Sequence, residues 1–281
     1  ELYERGKKLE REGGLAAMRR AAFYFKWYEA PPTATVQDPE GWQAANPSSW
    51  IKATDLAREA ERLPESVFRR LHLNQWTESE DAWIKPHEWD MCKGRPVFDP
   101  HRPLEAVGID VGVRRDSAVI TWAQWHGDEL HVGQDVMLPE DQHGNWGVAD
   151  VRARLASRVR DHPAGTKEVP FDPWSFRESA EQLADQGLPM AEFPQNNSRM
   201  APASENLYEL IVEKRLVHDG DPEMRRQVLS AVVAPTDRGG WRISKRRSLE
   251  RIDGAVSLAM TADRAVTLRN AKPEPRGAAF L

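Results

Sequence analysis

Apolar residues change their rhythm about a third of the way along the chain. LEAVGIDV (104–111), DSAVITWA (116–123) and ELHVGQDVML (129–138) are short apolar runs rich in β-branched residues, and they predict three successive strands. His126-Gly127-Asp128, between the second and third, has hairpin chemistry. The period then lengthens. In GVADVRARLASRVRDH (147–162), Val148, Val151, Leu155 and Val159 fall on one helical face. TKEVPFD (166–172) predicts a short strand, 175–187 a helix ending at Gly187, and PMAEFP another strand. Helices are expected at 201–215 and 222–233. After a Gly-Gly turn and WRIS comes a last helix over 246–268, and NAKPEPRGAAFL reads as a loose tail.

The first ninety residues follow no such order. Residues 1–20 are charged, with scattered Leu2, Leu9, Leu15 and Met18, and predict a peripheral helix. FYFKWYEAP (23–31) is rich in strand-favouring aromatics and stops at Pro31-Pro32. Polar turns follow in GWQAANPSSW, then a helical segment over 54–63 and the apolar-basic FRRLHLNQW. Six of the eleven Trp residues precede residue 90, and a small core filled by them is the plain reading. MCKGRPVFDPHRP (91–103) carries three Pro and a Gly and reads as a linker.

Three hairpin-linked strands followed by alternating helix and strand predict a mixed sheet with helices packed on it. That is the element order of the ribonuclease H-like fold. The expected organisation is an N-terminal region over 1–90, a linker over 91–103, a ribonuclease H-like domain over 104–269 and a flexible tail over 270–281.

Composition narrows the chemistry. A formal net charge of -5 gives no global cationic field, so any nucleic-acid contact must be local and metal-assisted. Cys92 stands alone, which excludes a disulfide framework and a thiolate zinc site. No apolar run is long enough for a membrane span, and no signal peptide is evident. The first lines, opening at Glu1, read as part of something longer.

Three carboxylates stand out. Asp110 ends the first strand and Asp172 the fourth, and strand ends are where open α/β sheets bind ligands. Asp253 shares a stripe with Leu249, Val256 and Met260, a face that packs on the sheet. A carboxylate there needs compensation. One compensation is an ion pair with Arg247, Arg251 or another base. The other is a divalent cation shared with Asp110 and Asp172. At ~4 Å and an effective dielectric of about 20, each like-charge pair costs ~4 kcal/mol, which a hard ion such as Mg²⁺ or Mn²⁺ would offset. Asp116 is a further candidate, although Asp at a strand start is also ordinary turn chemistry. RISKRRSLER (242–251) holds five basic residues beside Asp253, either a solvated helix start or a seat for phosphates.

GIDVGVRRDSAV also has the form of the first phosphate motif of actin-like and sugar-kinase ATPases. That reading requires an Asp-Gly-Gly loop further on, and none occurs. A P-loop is missing too, since Gly6-Lys7 lacks the upstream Gly and is followed by Lys8.

Taken in order, FYFKWYEAP, WQAANPSSW, FRRLHLNQW, VGIDVGVRRDSAVITWA, EVPFDPWSF, MAPASENLYELIVEKRLVHDG and ISKRRSLERIDGAVSLAMTADRA resemble the C-terminal part of tailed-phage terminase large subunits, the motor-nucleases that cut and package viral DNA. The resemblance implies a smaller α/β remnant of a P-loop-type ATPase domain over 1–90, followed by the nuclease. It implies Asp110, Asp172 and Asp253 as catalytic residues holding two Mg²⁺ or Mn²⁺ ions, with Asp116 at a further acidic position. Lys245, with Arg246 and Arg247, would contact DNA near the scissile phosphate. The reaction implied is endonucleolytic cleavage of concatemeric double-stranded DNA. The small terminase subunit and the portal would be partners, in the cytoplasm of a bacterial host at the procapsid. Packaging ATPase activity is not expected from this chain alone. Alternatives are another ribonuclease H-like nuclease, such as a junction resolvase, and a non-catalytic docking module whose acidic cluster is structural. Pro170, two residues before Asp172, removes a ladder donor, so that position should face away from a partner or the strand should be shorter.

Overall fold

A computed structural model describes residues 2–31, 33–75, 83–112, 117–138, 147–236, 240–245, 248 and 250–271. The chain divides into two units, Glu1–Glu78 and Ser79–Leu281.

The first unit is helical among its described residues: α1 (Leu2–Arg20), α2 (Pro39–Ala45), α3 (Ala53–Arg62) and α4 (Glu65–His72). The strand expected for FYFKWYEAP does not form, so helices alone stand where an α/β remnant was expected. The segment is tied down by side chains: Tyr3 Oη and Trp27 Nε1 both donate to Glu29 Oε2, at 3.2 Å each. A strand needs a backbone ladder, and aromatic content alone does not supply one. Trp42 is buried here and donates to the Val36 carbonyl at 2.9 Å, whereas Trp50 is 78% exposed, so Trp residues fill this core only in part.

The boundary falls earlier than expected. α5 (Pro86–Asp90) and the stretch after it pack within the second unit. Trp83 donates to the Val228 carbonyl at 2.8 Å, and Lys93 bridges to His218. The expected linker is a strap whose backbone is held by side chains. Val97 N–H donates to His131 Nδ1 at 2.9 Å, and Asp99 N–H to Gln124 Oε1 at 2.6 Å. Pro and Gly mark the strap as irregular backbone, which is a different property from being free.

The remaining elements follow in order: β1 (Leu104–Val111), β2 (Ala118–His126), β3 (Glu129–Met137), α6 (Val148–Arg160), β4 (Thr166–Phe171), α7 (Pro173–Asp185), β5 (Met190–Glu192), α8 (Asn197–Val212), β6 (Leu216–Val217), α9 (Pro222–Leu229), β7 (Val233–Pro235), β8 (Trp241–Ile243) and α10 (Asp253–Asn270). The main sheet runs β5-β4-β1-β2-β3-β6; β1, β2 and β3 are antiparallel neighbours, and the other pairings are parallel. β7 and β8 form a separate hairpin. The expected tail beyond residue 271 lies outside the described residues.

Strand alternation sorts the two faces of β1. Val107, Ile109 and Val111 join a core with Val151 and Leu155 of α6 and Phe176 and Leu183 of α7. Gly108 turns to the opposite face. A Cβ added there would lie 2.2 Å from Thr261 Oγ1 and 3.1 Å from the Ser257 carbonyl, so α10 rests directly on the β1 backbone. Thr121 of β2, the partner of Gly108, joins the contact through hydroxyl bonds to Ser257 at 2.9 Å and Thr261 at 2.6 Å. Arg264 adds a two-point pairing to Glu168 of β4, at 2.7 and 2.9 Å. α10 is thereby a buried helix, starting at Asp253 where 246 was expected.

Pro170 sits inside a central strand after all. It pairs with Ala191 of β5, while pairing with β1 passes from Ala106–Glu168 to Ile109–Phe171. The strand tolerates the missing N–H because its outer side carries the ladder at that point.

Candidate metal and phosphate site

Asp110 lies two residues after Gly108 on the same face of β1, and Asp253 opens α10 above it. Each is 2% exposed. Because Gly108 admits α10 so closely, the two carboxylates meet at one end of the strand–helix contact. The buried carboxylate expected on the stripe of Val256 and Met260 is therefore present; Leu249 lies outside the described residues.

The compensating group is Lys245. Its Nζ lies 2.5 Å from Asp110 Oδ2 and 2.7 Å from Asp253 Oδ1. Among the compensations open to the sequence was an ion pair with Arg247, Arg251 or another base, and Lys245 makes such a pair. The contact to Asp110 is close but unaligned, so Oδ2 is a buried oxygen without a directed hydrogen bond.

The other oxygen of each carboxylate is fixed from outside. Gln195 Nε2 donates to Asp110 Oδ1 at 2.8 Å. Ser117 donates twice to Asp253 Oδ2, from its backbone N–H at 3.2 Å and its hydroxyl at 2.7 Å. Behind Ser117, Gln227 is fully buried; its Nε2 reaches the Ser117 hydroxyl at 3.4 Å and its Oε1 accepts the Gly254 N–H at 2.6 Å. The result is two carboxylates locked in rotamer, each aiming one oxygen at a single shared point.

Electrostatics follow from that placement. Burial pushes the Asp110 carboxyl above its usual range; Lys245 pulls it back and Asp253 adds to the rise. Burial works against the Lys245 ammonium, but attraction to Asp110 and Asp253 outweighs it and holds the lysine above its ordinary value. Two carboxylates face one ammonium at this point.

Asp172 is placed differently. It follows the Ile109–Phe171 pair by one step, alongside Asp110 in the register. Half-buried, it caps α7 by accepting the Trp174 N–H on Oδ1 at 3.2 Å. Among the described residues, no three His, Cys, Asp or Glu side chains are gathered closely enough to hold an ion. The structure thus unites Asp110, Asp253 and Lys245 and keeps Asp172 at the next register position. Asp116, Arg246 and Arg247 lie outside the described residues.

Gln195, Ser117 and Gln227 are supports that sequence reasoning missed. Ser117 directly follows Asp116 at the mouth of a predicted strand, which is a faint local signal. Gln195 and Gln227 have none, since each acts across the fold.

Residues 144–268 match the family model for the terminase large subunit, endonuclease domain. The terminase large subunit of Enterobacteria phage HK97 is 27% identical over 269 aligned residues, covering 83% of this chain and 53% of that protein. The gene 13 protein of Mycobacterium phage L5 is 26% identical over 269 residues, covering 83% of this chain and 45% of its own length. The chain spans about half the length of the curated relatives it matches. Among solved structures, the HK97 bacteriophage large terminase superposes with a TM-score of 0.57 at 24% identity, over 89% of this chain and 59% of that one. The large terminase nuclease of thermophilic phage G20c gives 0.50 at 19% identity, over 62% of this chain and 94% of its own. The ribonuclease H-like sheet flanked by helices, expected from element order, and the resemblance to terminase large subunits are both borne out. No described helix is long and apolar enough to cross a membrane.

Proposed function

We propose that this chain, whose nuclease region is similar to that of terminase large subunits, is a divalent-metal-dependent endonuclease that cuts concatemeric double-stranded DNA during genome packaging. One observation carries the reading: two carboxylates, each 2% exposed, converge on a single cation at the end of β1. A purely structural pair would be as well served by apolar residues, whereas a buried cation seat is costly to keep.

The donor set fits a hard divalent ion. Asp110 Oδ2 is buried without an aligned donor, and Asp253 Oδ1 faces the same point. Asp110 and Asp253 would hold the ion, with Asp172 and Asp116 as the further acidic ligands. A bound divalent ion supplies charge neutralisation at a phosphodiester and a bound water of lowered pKa. The chain's own groups prepare that chemistry. Gln195 and Ser117 hold Asp110 and Asp253 in rotamer, so these two side chains need not turn when the charge arrives. Lys245, with Arg246 and Arg247, would seat the DNA phosphates against the acidic pair. The small terminase subunit and the portal, at the procapsid in the host cytoplasm, are the partners this role calls for.

The test is nicking and linearisation of supercoiled plasmid in Mg²⁺, Mn²⁺ or EDTA, beside Asp253→Asn. Metal-dependent cutting that the near-isosteric variant loses is the expected outcome. Cutting that survives the substitution would refute the assignment of Asp253. A second reading rests on the same lysine: Lys245 already compensates the carboxylates, as it would in a non-catalytic docking module. Folded protein that neither cuts DNA nor binds Mn²⁺ would select that reading.

A further inference from the structure

Resting on the endonuclease reading, the site geometry points to Lys245 as a resident counter-ion: we infer that its ammonium and the divalent ion occupy the same seat. Metal would then load as the lysine leaves the carboxylates and takes a DNA phosphate instead.

Three features lead there. The ammonium contacts the two oxygens that are not held from outside, at 2.5 and 2.7 Å, so it stands where a shared ligand ion would stand. An ammonium and a divalent ion that both need those oxygens cannot bind together at such distances. Second, among the described residues the seat gathers only two carboxylates, because Asp172 is engaged as the cap of α7. Third, the lysine is able to leave. Its side chain is 35% exposed and reaches inward from the surface, whereas both carboxylates stay buried. A DNA phosphate at the mouth offers the ammonium a new partner and uncovers the oxygens. DNA and metal should therefore raise each other's affinity, as linkage requires.

Calorimetric Mn²⁺ titration of the full chain, wild type beside Lys245→Gln and Asp253→Asn, tests this. Lys245→Gln keeps a polar side chain, one bond shorter, and removes the charge. Mn²⁺ should bind Lys245→Gln roughly tenfold tighter or more, and Asp253→Asn should abolish binding. A thermal readout separates competition from simple damage. Without metal, Lys245→Gln should melt below wild type, since it leaves two buried carboxylates uncompensated. Saturating Mn²⁺ should bring its melting temperature to or above that of the wild type. Unchanged or weaker Mn²⁺ binding by Lys245→Gln, with wild-type binding intact and sensitive to Asp253→Asn, would overturn the shared seat and leave the nuclease reading standing. Absence of Mn²⁺ binding in both wild type and Lys245→Gln would overturn both.

Discussion

Gly108→Ala is the smallest change that tests how the site is assembled. The new Cβ would lie 2.2 Å from Thr261 Oγ1 and 3.1 Å from the Ser257 carbonyl, where ordinary contact begins near 3.4 Å. The Thr261 hydroxyl is not free to rotate away. It bonds the Thr121 hydroxyl at 2.6 Å and the Ser257 carbonyl at 2.9 Å. Relief must come from losing those bonds, at about 0.5–1.5 kcal/mol each, or from lifting α10, an overpacking cost of about 1–3 kcal/mol. The expected destabilisation is ~1–3 kcal/mol by either route, a fall in melting temperature of roughly 2–12 °C for a unit of this size. Urea unfolding followed by far-ultraviolet circular dichroism measures it. Thr261→Ala removes the clashing oxygen, so in a double-mutant cycle the pair should be coupled by ~1 kcal/mol or more. A cost for Gly108→Ala below ~0.5 kcal/mol, or additive single and double variants, would show that α10 does not rest on the β1 backbone. Because Asp253 opens α10, the same substitution should also weaken Mn²⁺ binding.

Two further expectations concern the supports. Ser117→Ala removes the hydroxyl donor to Asp253 Oδ2, a bond to a charged group worth about 1.5–3 kcal/mol, and should lower urea stability by that order while leaving the fold intact; no change would mean that the carboxylate is held elsewhere. Acidification should destabilise the second unit through its buried histidines. Burial lowers the pKa of both His218 and His131 below the ordinary 6.5. Between those lowered values and 6.5 the unfolded chain binds more protons, so the contribution is present above 6.5 and lost as pH falls through that window. His218 Nδ1 accepts the Gly220 N–H at 3.0 Å, an acceptor that protonation removes. Melting temperature should drop from pH 7.5 to 5.5, and His218→Gln should flatten the slope; an unchanged slope would exclude His218 as a contributor.

Much of the sheet was written in local patterns. The runs around β1, β2 and β3 and the helical spacing of Val151, Leu155 and Val159 are visible because side-chain period depends only on neighbours along the chain. So was the candidacy of Asp110 and Asp253, since a carboxylate within an apolar stripe is anomalous wherever the chain goes. In FYFKWYEAP local preference is not enough: its residues favour strands, but a strand exists only if another segment supplies the ladder, and among the described residues none does.

What only the tertiary structure decided is which group answers the buried charge. The sequence by itself determined the order of elements, the acidic candidates and a basic segment ahead of α10. It could not choose among the bases of that segment, or foresee that Ser117 and Asp253, 136 residues apart, would share a hydrogen bond. Such pairings are set where β1 and α10 cross, and that crossing depends on a missing side chain at Gly108 and on hydroxyls of β2 and α10. Secondary structure follows from near neighbours, whereas a buried charge must be compensated by whatever folding brings within about 3 Å of it, because Coulomb attraction depends on separation in space.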